Sequence, residues 1–278
     1  MEKIKKYFGN YEITWARVLL LAVITAAYTA LVNELDFLDG TSFQDIAINL
    51  ECWLLFAVFI IVNCKKWWEA ALKCFVFFLI SQPLIYLLEV PFEQLGWGIF
   101  SYYGHWFRIT LLTLPGGAVA FGLKKKNWLS VAVLSAATIF LAYSGVSYLK
   151  SAIWNPPFHI LSAVFCFMLA VFFIMVLLDD KKHRVAALAI FAAALIISAV
   201  ITGIFYTASV DIALPAGDWE YTIEDDSVIR VELDDGSAVV TPIHNGNTWI
   251  TFTSSDGTEL EYYVSVLTGS IWISPRDD

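Results

Sequence analysis

The chain has 278 residues, 59% of them hydrophobic, 16% aromatic and only 15% charged, with a mean hydropathy of +0.68. Soluble domains are nearer half apolar and a quarter charged, and a chain this size cannot hide such an excess in one water-soluble core. A soluble enzyme, a disordered chain and a nucleic-acid binder relying on basic charge are excluded, and the lipid bilayer is the expected solvent.

A helix needs about 20 apolar residues to cross the ~30 Å hydrocarbon layer. Seven stretches answer to this, at about 15–33, 46–63, 71–90, 107–123, 128–149, 158–178 and 185–206. Lys and Arg set their direction, because short cytoplasmic loops collect them. Lys3, Lys5 and Lys6 precede the first span, and Lys65 and Lys66 follow the second. Lys124, Lys125 and Lys126 follow the fourth, and Lys181, Lys182 and Arg184 follow the sixth. The intervening connections 34–45, 91–106 and 150–157 hold only Lys150. The expectation is a multi-pass protein of the cell membrane with a cytoplasmic N-terminus and, after an odd number of crossings, an extracytoplasmic C-terminal part. The first span reads as an uncleaved anchor. Trp15, Trp67, Trp68 and Trp128 fall at inner edges and Trp97, Trp106 and Trp154 at outer ones, as interfacial rings do. Arg17 and Lys73, near inner edges, are expected to reach for headgroups.

Ionisable groups inside spans are functional suspects. The outer halves of spans two to four offer Glu51, Gln82, Glu89, Glu93, His105, Arg108, Thr110 and Thr113. Pro83 in span three and Pro115-Gly116-Gly117 in span four are expected to break their helices, and two facing broken helices are a common way to build a transport site. Two readings stay open. One is an outward polar pocket in which Arg108 takes an anion against Glu89; the other is a structural pair of Arg108 with Glu89 or Glu93. Residues 95–107, rich in aromatics and glycine, read as an interfacial segment, a stacking site or a seat for the C-terminal part. Ser135, Ser144 and Ser147, with Ala142 and Gly145, read as helix packing. No catalytic residues, metal site or cofactor are expected, because HExxH, GxSxG, Walker and GxGxxG patterns are all missing.

Charge changes sharply after residue 206. Residues 1–206 carry 15 Lys and Arg against 12 Asp and Glu, whereas 207–278 carry 2 against 14. Residues 1–206 are expected to form the membrane domain, 207–217 a linker and 218–278 a small all-β domain. Candidate strands are Trp219–Ile223, Val228–Leu233, Ala238–Ile243, Thr248–Thr253, Leu260–Leu267 and Ser270–Ser274. Asp235-Gly236, Asn245-Gly246, Asp256-Gly257 and Thr268-Gly269 supply hairpin turns between them. The acidic runs Glu224-Asp225-Asp226 and Asp234-Asp235 read as turn and solvated faces, with Ca²⁺ binding as the sharper alternative.

Trp219, the runs Asp226–Val231 and Gly246–Thr251, Asp256-Gly257 and Tyr262–Val266 resemble the bacterial immunoglobulin-like domains of the group 2 type. The resemblance covers about 50 residues and implies a β-sandwich in an extracytoplasmic setting, not a ligand. The expected whole is an α-helical polytopic membrane domain of seven transmembrane helices followed by a small all-β Ig-like sandwich. Its expected role is non-enzymatic: an envelope protein that displays residues 218–278 for partner contact, assembly or sensing. A transporter or lipid-handling protein is the alternative, and an intramembrane enzyme the third. The bilayer and an envelope protein are the expected partners, nucleic acid is not, and no substrate is legible.

Overall fold

The computed structural model describes residues 8–9, 11–204, 206–234 and 236–276. Lys3, Lys5, Lys6 and Asp235 therefore lie outside the described residues. The chain divides into two compact units, one of residues 1–146 with 161–198, the other of residues 147–160 with 199–278.

The first unit is helical. Helix α1 (Trp15–Asn33) starts where the Thr14 hydroxyl accepts the Arg17 backbone N–H, a side-chain cap for one of the orphan donors of a first turn. Helices α2 (Ser42–Ile48) and α3 (Leu50–Asn63) meet at a 44° bend. The stretch expected as one span, 46–63, is thus an angled pair. Its break is Asn49, whose extended backbone (φ −80°, ψ 158°) ends α2 and opens α3. Helix α4 (Trp67–Glu89) follows Lys65-Lys66, and helix α5 (Tyr103–Ala120) is flanked by 3₁₀ turns at Gly96–Tyr102 and Phe121–Lys125. His105 and Trp106, expected in a connection, are therefore helical. Helix α6 (Trp128–Trp154) begins after Asn127, whose Oδ1 accepts the Leu129 N–H at 3.1 Å. Helix α7 spans Ile160–Leu177, and α8 (Lys181–Thr202) is capped by Asp180 Oδ1, which accepts the Lys182 N–H at 2.7 Å. Among the described residues, six helical segments are long and apolar enough to cross a membrane, or seven if the bent pair counts as one span.

Helices α4 and α5 continue through Pro83 and through Pro115, Gly116 and Gly117, so the expected breaks are not formed. A proline removes one backbone bond, which packing against neighbouring helices tolerates. Gly117 serves that packing: a Cβ there would sit 3.0 Å from the Ala71 Cα, so the backbones of α4 and α5 cross in near contact. The core of this unit joins Val18, Ala22 and Ala26 of α1 to Trp53, Ile60, Phe77 and Phe78. Its outer faces carry large apolar side chains, among them Leu20, Leu31, Leu112, Met168 and Ile196.

The second unit is built on two antiparallel sheets, ordered β1-β4-β3 and β2-β5-β6-β7. Their strands are β1 (Val210–Ala213), β2 (Trp219–Ile223), β3 (Ile229–Asp234), β4 (Ser237–Pro242), β5 (Gly246–Ser254), β6 (Glu259–Leu267) and β7 (Ser270–Pro275). Strand β1 lies in the stretch 207–217 expected as linker, and pairs Ile212 with Ala238. The Asn245-Gly246 turn does not close a hairpin, because β4 and β5 belong to different sheets and the chain crosses between them there. Thr268-Gly269 does close one: both residues have positive φ (48° and 80°), as a tight β6–β7 turn requires. Period-two burial fills one core from both sheets, with Ile229, Val231 and Val240 facing Ile250, Phe252 and Val264. Trp154, the last residue of α6, belongs to that core: it is 6% exposed, its carbonyl accepts the Asn245 N–H, and Gly269 packs on its ring.

Candidate functional site

In helix α1 the polar residues Thr25, Thr29 and Asn33 recur every fourth position, so they share one face of an otherwise apolar helix. In α4, Gln82, Tyr86 and Glu89 recur at intervals of four and three and do the same. The two faces meet. The Asn33 Nδ2 donates to Glu89 Oε1 at 3.0 Å, and the Thr29 hydroxyl donates to the Ala47 carbonyl at 3.0 Å. Between them lies a cavity of about 110 Å³ lined by Thr29, Asn33, Gln82, Tyr86, Glu89 and Trp106, closed by Ile48, Trp53 and Ile85. Glu89 is 3% exposed, and a carboxylate so placed persists only with a hydrogen-bonding partner. Asn33 supplies it.

The other residues expected to join this pocket are dispersed. Arg108 and His105 are exposed on α5, and among the described residues no ion pair joins Arg108 to Glu89 or Glu93. The reason is register: buried Thr110 and Gly117 mark the packed face of α5, and Arg108 is two positions from Thr110, about 200° around the helix. Glu51 is buried in the first turn of α3, where the positive end of the helix dipole favours a carboxylate. Glu93 is half-buried beyond the C-terminal end of α4, and its N–H bonds to the Glu89 carbonyl. Thr110 is buried with its hydroxyl unpartnered, and Thr113 donates to the Thr110 carbonyl at 2.6 Å. Near the pocket mouth, burial first, then the charges of Glu93 and Asp36, holds the Glu34 carboxyl above its ordinary value.

Elsewhere in this unit, the Ser162 hydroxyl donates to Asp45 at 2.7 Å, and its N–H donates to Ser42, tying α7 to α2. Gly145 faces the Phe167 ring so closely that a Cβ would lie 2.4 Å from it. Among the described residues no group of three His, Cys, Asp or Glu side chains could hold a metal ion. The site can host a few waters or a small ion beside one carboxylate and two amides. It is smaller than the roughly 300–1,000 Å³ of sites for drug-sized ligands.

In the second unit the acidic turns are internally engaged. Asp225 Oδ1 accepts from the Ser227 hydroxyl at 2.6 Å and from its N–H at 3.0 Å, which lowers the Asp225 carboxyl below its ordinary value. Asp256 is lowered likewise by the Thr258 N–H at 2.9 Å. The outward face of the four-stranded sheet carries a row of rings: Trp249 and Tyr263 are 5.2 Å apart, Tyr263 and Trp272 6.3 Å, and the Arg276 guanidinium lies 5.4 Å over Trp249. Arg276 also bonds to Glu261 of the neighbouring strand. Trp272 is 60% exposed. Asn33, Thr29, Trp106 and this ring row are the features the linear reading missed. The four-residue polar spacing of α1 was the available signal for the first two.

Comparison of the chain with protein-family models, curated proteins and solved structures finds no match.

Proposed function

We propose that the chain is a multi-pass membrane protein whose helical unit is embedded in lipid and whose acidic β unit is displayed outside the cell to contact a partner protein. The apolar outer faces of the helices support the first half, since Leu112, Met168 and Ile196, exposed at 68%, 67% and 68%, are part of a surface whose apolar extent suits lipid better than water. The alternation of Lys-bearing connections supports the orientation. The second half rests on the row Trp249–Tyr263–Trp272 with Arg276, because Trp, Tyr and Arg are the residue types that dominate binding energy at interfaces. With 14 acidic residues against 2 basic ones in 207–278, the module favours a basic partner surface. The kinship with immunoglobulin-like modules is part of this reading.

A Ser255→Cys variant in the exposed β5–β6 turn tests it. An impermeant maleimide is expected to label that cysteine in intact cells, while Lys181→Cys reacts only after permeabilisation. The reverse pattern overturns the display reading. A second reading, movement of water or a small ion through the helical unit, is favoured by the Asn33–Gln82–Glu89 cavity, and the cavity's size argues against a larger cargo.

A further inference from the structure

The opposite ends of α1 and α4 hold a larger cavity, about 580 Å³, that the reading above does not use. Its walls come from the segment Tyr11–Trp15 and from Asn63, Lys65, Glu69, Lys73 and Lys124. Lys73 does not reach for solvent as expected. It is 3% exposed, and its ammonium donates to the Ile13 carbonyl and to Glu69. Glu69 in turn accepts the Lys65 backbone N–H at 2.9 Å, so Lys73 and Glu69 cancel each other and brace the wall. That leaves the exposed Lys65 and Lys124 as the cavity's cations and Glu12 as its opposing acid. Lys124 donates one of its three protons to the Cys64 carbonyl and keeps two. Thr14 and Trp15 at the start of α1 line the same space, as does Glu69 in the first turn of α4.

A second, apolar groove of about 370 Å³ borders the same stretches of chain. Cys74, Leu123 and Ile61 line the groove, while Lys73, Lys124 and Asn63, one or two residues away, line the polar cavity. Along α5 the groove runs from Ile109 to Ala120. At 1.5 Å per residue that is about 16 Å, close to the roughly 15 Å of one hydrocarbon leaflet. Phosphate-binding cations beside an apolar slot one leaflet deep match one kind of molecule.

We infer that this end of the helical unit binds an anionic phospholipid of the inner leaflet, its phosphate held by Lys65, just ahead of α4, and Lys124, just after α5, and one acyl chain lying in the groove. The inference rests on the membrane reading above. Its test is made in detergent and is blind to orientation, so its failure and the failure of the labelling experiment are separate results. The purified full chain is titrated with phosphatidylglycerol, phosphatidylcholine or inorganic phosphate, and the thermal midpoint is followed. Phosphatidylglycerol alone is expected to raise it. Lys65→Gln with Lys124→Gln should weaken that lipid about thirtyfold, and Glu12→Gln should tighten it severalfold. Gly116→Leu, at a groove position where a Cβ meets open space, should abolish the lipid response with the fold intact. Equal responses to the two lipids overturn the proposal, and a response to inorganic phosphate equal to that of phosphatidylglycerol assigns the site to a soluble anion instead. Should the double lysine variant fail to fold, Glu12→Gln without tightening overturns it as well.

Discussion

The two units solve the same problem, burying backbone polar groups, in two opposite ways. In the helical unit each segment satisfies its own backbone, large apolar side chains such as Leu20 and Ile196 face outward, and polar side chains turn inward, as Thr29, Gln82 and Glu89 do. In the β unit the backbone is satisfied between strands, the apolar side chains Ile250, Phe252 and Val264 turn inward, and Asp225 and Asp256 take the turns. The inversion teaches that hydrophobicity assigns a side only once the solvent is known. A buried carboxylate is ordinary chemistry at neither place, which is why Glu89 with its amide partner is the most informative residue of the helical unit.

The sharpest way to separate the units is Trp154→Ala. Removing a buried Trp costs about 3–5 kcal/mol, and a module of this size holds only about 5–14 kcal/mol in total. The β unit is expected to become protease-sensitive while residues of the helical core such as Phe77 and Trp53 keep their protection in hydrogen exchange; equal loss in both units would make them one cooperative body. A smaller effect is expected inside the helical unit. Asn33→Ala and Glu89→Ala should be coupled by about 0.5–3 kcal/mol in a double-mutant cycle of thermal stability, because each removes one partner of the same buried hydrogen bond. Arg108→Ala with Glu89→Gln should be additive, and strong coupling there would contradict the observed arrangement. The smallest effect belongs to the turn at Asp225. Its carboxyl is held down by Ser227 in the folded state, so the stability it contributes is complete above the ordinary aspartate value of 3.8 and is lost as pH falls through the lower folded value. Ser227→Ala should flatten that acid limb of the β unit's melting curve and leave the helical unit's unchanged.

Local signals were legible residue by residue. Helix α1 occupies 15–33, the stretch that hydropathy marks, and β2 occupies Trp219–Ile223, as its alternation and flanking turns indicate. Strand β1 was not legible, since Val210–Ala213 is only four residues long and acquires its identity by pairing with β4. Nor was the bend at Asn49, where a polar residue inside an apolar run competes with the helix by its own backbone preference. The prolines misled for the complementary reason: Pro83 and Pro115 each cost one local bond, and both helices run on through them.

The sequence by itself determined that one part is apolar and helical and the other all-β, and the charge that distinguishes the two, because these depend on composition and short-range period. Only the tertiary structure decided that Glu89 pairs with Asn33, 56 residues away, and not with Arg108, that Lys73 is buried against Glu69 and Ile13, and that Trp154 completes a β core. Partner choice among distant polar groups is set by which helix faces meet, and that is a property of packing, not of any one segment.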